Sequence, residues 1–199
     1  KVSDLMRSKF IAKKMKYDGT QLKPLFAYEN LGILGHSIIS WVGACDIHFD
    51  HMVDLEDKIE NSKICGDEML HFIIEIFNDS LLSAVSLQRL FASIVQTEIL
   101  KINPKLNQFN FIREGDDLYF LKKNKKMKLS ISIASRSVVS IQIHFAVNVV
   151  NSGTPVPTSC LSELSIQPRE LAQQVMKSFS QEFESILQAT QKVRPLIIK

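Results

Sequence analysis

Gly115-Asp-Asp-Leu-Tyr-Phe120, a lysine cluster, Lys128-Leu-Ser-Ile-Ser-Ile-Ala-Ser135 and His144-Phe-Ala-Val-Asn148-Val149 together decide the fold. Two of these segments alternate with a period of two and therefore read as strands, Lys128 to Ser135 and Ile141 to Val150. In the first strand Leu129, Ile131 and Ile133 are expected on one face, with Lys128, Ser130, Ser132 and Ala134 on the other. In the second, Ile141, Ile143, Phe145, Val147 and Val149 share a face opposite Gln142, His144, Ala146 and Asn148. Arg136 to Ser140 is a short connection, so the two strands are expected to pair as an antiparallel hairpin. Their polar faces then join into one platform carrying Lys128, Ser130, His144 and Asn148. Such a platform is able to hold a ligand. It is equally a solvated outer face, and the pattern leaves both open.

Outward from this hairpin, Pro24 to Glu29 and Gly35 to Ala44 read as further strands and Asp46 to Asp57 as an acidic loop. Asp67 is placed to cap a largely buried helix ending at Phe77. Asp79 or Ser80 starts a second helix to about Leu100, which Asn103-Pro104 ends. Pro168 opens a third, with Leu171, Val175, Phe179, Phe183 and Ile186 along its apolar stripe. No repeat, low-complexity tract or linker divides the chain, so residues 1–199 read as one domain. The order of elements predicts an α+β fold with a mostly antiparallel sheet packed with helices.

The 199 residues are 45% hydrophobic and 23% charged, as in globular proteins, and are long enough for a substantial core. A net charge of +3 is too small to argue for nucleic acid. Cys45, Cys65 and Cys160 are sparse and unpaired in spacing, which points to a reducing compartment, the cytoplasm. Lys1 to Lys16 shows no apolar run of signal-peptide length, and Leu31 to Cys45 is too short and too polar to span a bilayer.

With Asp116-Asp117 after a glycine, a basic hairpin from Lys122 to Lys126, Lys128 opening the next strand and Asn148-Val149 closing another, the chain resembles the biotin and lipoate protein ligase superfamily. Its spacing is most similar to the lipoyl (octanoyl) transferases, which pair a strand-opening lysine with a His-x-x-x-x-Asn segment and a following cysteine, here Lys128, His144 with Asn148, and Cys160. That resemblance implies a class II synthetase-like fold and a transferase or ligase acting on a small molecule, with ATP and Mg2+ or an acyl donor as cofactor and an acyl-carrier protein as possible acceptor. It implies Lys128, His144 and Cys160 as catalytic residues, with Lys128 holding an acyl carbonyl or phosphate and Cys160 as covalent carrier. Asp117, Ser130 and Asn148 would orient the ligand. Asp18 to Leu22 is similar to the transferases' glycine-and-glutamine segment, which adds Gly19 and Gln21. Over most of its length the chain also resembles an uncharacterised, largely archaeal family, domain of unknown function 366, through Tyr17-Asp-Gly-Thr-Gln-Leu22, His51-Met-Val-Asp-Leu-Glu-Asp57 and Lys192-Val-Arg-Pro195.

Two alternatives stand beside the transferase. The glycine- and arginine-rich adenylate loop of biotin ligases has no counterpart here, which favours a non-catalytic binding module on the same fold. Cys45 to Asp54 is dense in potential ligands, and Glu68 and His71 fall one turn apart on the expected helix. A metal-dependent enzyme would then use His51, Glu68 and His71, or Asp54, Glu56 and Asp57 would hold a magnesium nucleotide.

Overall fold

The computed structural model describes residues 5–123, 125–194 and 196. Residues 1–4, part of the segment read for a signal peptide, and Pro195 of the Lys192–Pro195 motif lie outside them. The main sheet has five strands, β1 (Arg7–Ile11), β2 (Ser37–Asp46), β3 (Cys65–Phe77), β7 (Ser130–Arg136) and β8 (Ser140–Asn148), in the order β1-β2-β3-β8-β7. Among the described strands of this sheet only β1, paired with β2, runs parallel to its neighbour; the sheet's other strand pairings are antiparallel. A three-stranded meander of β4 (Phe111–Glu114), β5 (Asp117–Lys122) and β6 (Lys125–Lys128) joins its edge. The α+β expectation holds, and among the described residues no helix is long and apolar enough to cross a membrane.

Helices α3 (Leu81–Ile102) and α4 (Pro168–Gln191) cover one face of the main sheet. The Ser80 hydroxyl accepts from Ser83 N at 3.1 Å to cap α3, and Pro168 occupies the first turn of α4, both as expected. Between helices and sheet lies the larger core, in which Phe91 packs edge-on against Phe72, Phe145 and Phe179. A smaller apolar cluster on the opposite face contains Trp41, Met69 and Ile73, covered by a strap through Tyr17 and by α1 (Phe26–Leu31).

Asp67 to Phe77 is part of a central strand and not a helix. Leu70, Phe72, Ile74 and Ile76 enter the larger core, while Met69, His71 and Ile73 point the other way. A strand buried on both faces loses its alternation, and its β-branched and aromatic content was the better guide. Pro24 to Glu29 is likewise no strand. Leu25 takes φ 65°, and α1 follows, closed by Gly32 at φ 67° whose N–H reaches Ala27 and Tyr28 carbonyls. The acidic loop holds a turn of 3-10 helix at Phe49–His51 and helix α2 (Leu55–Ile59), whose cap is Asp54 accepting from Glu56 N at 2.8 Å.

The hairpin forms, with Ser130 opposite Val147 and Arg136 opposite Ile141, but the faces of its first strand are reversed from the expectation. Lys128 belongs to β6, opposite Tyr119. At Leu129 the chain passes from one sheet to the other, its N–H bonding Leu118 O and its carbonyl accepting from Asn148 N. Because directly opposed residues share a face, Ile131 and Ile133 lie with Ala146 and His144, while Ser130 and Ser132 lie with Val147 and Phe145 on the helix side.

Candidate functional site

The face of the sheet away from the helices carries a cavity of about 450 Å³. Ile131, Ile133 and Met69 supply apolar wall, with Leu22 from the strap. The segment from Ile47 to Asp57, the turn at Asp116-Asp117 and the loop from Thr154 to Thr158 bound it on the outside.

Lys128 stands at its polar side. The Nζ lies 2.8 Å from Asp117 Oδ2, and the Tyr119 hydroxyl donates to the same oxygen at 3.0 Å. The lysine backbone is fixed as firmly. Its N–H donates to Pro157 O, and its carbonyl accepts from Ser159 N and from the Asn148 amide at 3.1 Å. Asn148 also donates to Ser159 O, so this residue ties the lysine to the outer loop. The lining is otherwise acidic, with Asp54, Glu56, Asp57, Asp116 and Asp117 facing Lys63 and Lys128. Burial, reinforced by Asp117, raises the Asp116 carboxyl above its usual range; burial and then Asp54 raise Asp57.

At the floor, four rings are layered. Tyr17 stacks on His144 with centroids 3.7 Å apart and planes within 10°, while Trp41 stacks on His71 at 5.3 Å. His71 Nε2 meets Gly43 O at 3.1 Å, and its Nδ1 meets His144 Nε2 at 3.1 Å. The carbonyl can only accept, so Nε2 of His71 carries its proton, its Nδ1 accepts, and His144 donates from Nε2. Burial lowers the His71 pKa to about 4, against which the Gly43 carbonyl works to raise it. Burial, then His71, depresses His144 well below the usual imidazole value.

Both imidazoles therefore stay neutral in the folded chain at pH values where an unfolded chain takes up protons. A depressed folded-state pKa gives stability that is complete above the unfolded value and lost on acidification. Denaturation midpoints are expected to fall steadily as pH drops from about 6.5 toward about 4, the window set by the His71 shift. Comparison with His71→Gln across that range checks the origin of the slope. An undiminished slope in the variant, or a flat wild-type profile, contradicts it.

The structure brings Lys128, Asp117, His144 and Asn148 to one cavity. Other candidates go elsewhere. Ser130 is buried on the helix side, its hydroxyl accepting from Leu118 N at 2.9 Å. Cys160 is 3% exposed and is not among the cavity's lining residues, because the turn after Pro157 tucks it into the protein instead of over the platform. Gly19 and Gln21 build the turn beneath Tyr17 and do not line the cavity. At Gly19, φ is 94° and a Cβ would come within 2.8 Å of His51 Cβ; Gln21 accepts from Asp18 N and donates to Lys16 O. The metal set His51, Glu68, His71 is not assembled. On a strand Glu68 and His71 point to opposite faces. Glu68 pairs with Lys14, His51 contacts Asp18 O, and no group of three metal-ligating side chains converges among the described residues. Tyr17, Trp41 and Tyr119 were missed as site residues. Tyr17 lay in a quoted motif, yet only the path of the strap over the sheet shows its place.

A protein of unknown function from Pyrococcus horikoshi is 35% identical, with a TM-score of 0.86 over 96% of this chain and 100% of that one. Biotin protein ligase from Aquifex aeolicus, solved in complex with biotin and ATP, superposes with a TM-score of 0.57 at 12% identity, covering 90% of this chain and 71% of the ligase. A putative lipoate protein ligase from T. acidophilum with bound lipoic acid gives 0.55 at 12% identity, covering 89% and 86%. These two likenesses show that the fold is that of the biotin and lipoate protein ligases. Residues 6–194 match the model of the family described as domain of unknown function (DUF366), and the chain belongs to that family.

Proposed function

We propose that the protein is an acyl or nucleotidyl transferase of the biotin/lipoate ligase type, which holds a small amphipathic acid in this cavity. The observation that carries the reading is Lys128, fixed through its own backbone and paired with Asp117, at the polar side of a cavity whose wall is Ile131, Ile133 and Met69. An ammonium so placed neutralises a carboxylate or an acyl oxyanion, and an alkyl chain is sheltered by the isoleucines. The acidic lining favours acyl over bare phosphate chemistry. A nucleoside triphosphate entering here would need Mg2+ to offset Asp54, Glu56 and Asp57. With Cys160 buried away from the cavity, acyl transfer passes from the bound donor to an acceptor such as a carrier protein, whose nucleophile displaces the donor's leaving group, without a thioester on Cys160.

The test begins with octanoate binding measured by calorimetry. Lys128→Ala is expected to weaken it about tenfold, the worth of one charge-assisted hydrogen bond. Unchanged affinity in that variant contradicts the site. A second reading, a binding module without catalysis, is favoured because Cys160 is buried and Lys128 is held by Asp117, so neither of these two candidates is a free nucleophile. Intact-mass analysis of a lipoyl-domain acceptor incubated with octanoyl donors separates the two. An added octanoyl group supports the transferase, and binding without any mass gain supports the module.

A further inference from the structure

β1 forms one edge of the main sheet, and its outer side is open among the described residues. Arg7 N donates to His36 O, and Arg7 lies opposite Ser37 on β2. In a parallel ladder alternate residues turn both backbone groups to the same neighbour. Arg7, Lys9 and Ile11 therefore bond β2, while Ser8 and Phe10 turn N–H and C=O outward. Beside this edge a groove of about 690 Å³ runs between β1 and α4. Leu5, Met6 and Met176 give it an apolar strip, and Gln173, Lys177 and Gln181 line its helix side. The two faces of the strand differ. Ile11 packs with the smaller cluster, so Arg7 and Lys9 share its side of the sheet, whereas Met6 and Phe10 pack into the larger core under the helices. Arg7 and Lys9 are exposed, and the Arg169 guanidinium lies 5.8 Å from the Phe10 ring centre. None of Arg7, Lys9, Arg169 and Lys177 belongs to an ion pair among the described residues. Against these cations the described groove lining sets one acidic residue, Glu184.

We propose that this edge takes up an extended acidic segment of a partner protein, which pairs with β1, sets its acidic side chains toward Arg7 and Lys9, and lays the alternate, apolar ones in the groove against α4. Backbone hydrogen bonds to Ser8 and Phe10 supply affinity, and the alternation of side chains supplies the choice of sequence. Charge decides between occupants. A second copy pairing through its own β1 would bring Arg7 and Lys9 of both chains together on one face, where like charges repel. The same two cations that keep the edge from joining itself attract a strand of opposite sign. The groove shares no lining residue with the cavity, so the inference stands independently of the transferase reading.

The test uses the full chain and a fluorescent peptide, Glu-Val-Glu-Val-Glu-Val with blocked ends, followed by anisotropy at low salt. The same peptide with lysine in place of glutamate is expected to bind about tenfold more weakly. Ser8→Pro should weaken the acidic peptide about tenfold while leaving the denaturation midpoint unchanged, because the N–H it deletes points away from β2. Arg7→Glu combined with Lys9→Glu should invert the preference between the two peptides, and both side chains are exposed, so the fold is kept. Hydrogen exchange at the Ser8 and Phe10 amides should be fast in the free protein and slowed by the acidic peptide. If Ser8→Pro lowers the midpoint, the charge-reversed variant and the exchange rates decide instead. Equal binding of the two peptides, no binding of the acidic one at about millimolar concentration, or wild-type affinity in Ser8→Pro overturns the proposal. So does slow exchange of both amides in the free monomer, which gives the edge to another part of this chain. A dimer in sedimentation that Ser8→Pro dissociates overturns it as well, and gives the edge to a second copy.

Discussion

Phe91→Ala is expected to lower unfolding free energy by about 4 kcal/mol, the cost of deleting a fully buried aromatic ring whose surroundings cannot collapse. Phe91 is completely buried on α3, and its ring lies 5.2 Å from Phe72, 5.2 Å from Phe145 and 5.1 Å from Phe179, each edge-to-face. It therefore joins the sheet's two central strands to both long helices, and its removal opens a void on all these sides. Urea denaturation gives the measurement, with the slope unchanged and the midpoint shifted. A loss below about 1 kcal/mol would mean that the helices close over the gap, and that the core is softer than its interlocked rings imply.

Gly43→Ala should be nearly as damaging, and it should also abolish ligand binding. A Cβ at Gly43 would stand 1.9 Å from the Met15 carbonyl oxygen. That contact is with backbone, so no side-chain rotation relieves it. The strap is held to β2 at this place, Met15 N donating to Val42 O and Met15 O accepting from the Trp41 indole at 2.8 Å. Moving the strap shifts Tyr17, two residues on, away from His144. Gly43 O is also the acceptor that sets the His71 tautomer. A loss of about 3 kcal/mol in chemical denaturation is expected, at the upper end for an added methyl in a packed site, and octanoate binding should vanish in calorimetry. Wild-type affinity in a destabilised variant would show that the strap is not needed for the site.

The parts of the fold that were legible share one trait, which is a signal on a single face. Pro168 and the stripe through Leu171, Val175, Phe179 and Phe183 marked α4, and the alternation of Ile141 to Val149 marked β8. The signal fails where apolar residues interrupt the polar face or the path is set from a distance. Leu70 to Ile76 is buried on both faces of β3, and Ile73 between His71 and Glu75 blurs the alternation, so it resembled a buried helix. Ser130 and Ile131 were placed on the wrong faces because nothing local marks Leu129 as the point where the chain changes sheets. Lys128, Asp117, His144 and Asn148 could be named as candidates from motif spacing. Tyr17 and Trp41 could not, since their contact with the two histidines comes from a crossing between segments far apart in the chain.

The two-sidedness of β3 has an evolutionary consequence. Its even positions from Leu70 to Ile76 serve the helix-facing core, and Met69, His71 and Ile73 serve the cavity side. The same division runs along β8, with Phe145 and Val147 on one side and His144 and Ala146 on the other. Substitutions that retune what the chamber accepts thus fall on a different set of codons from those that pack the strands against the helices. Lineages carrying this architecture can alter the chamber face of a strand without touching the face that packs against the helices.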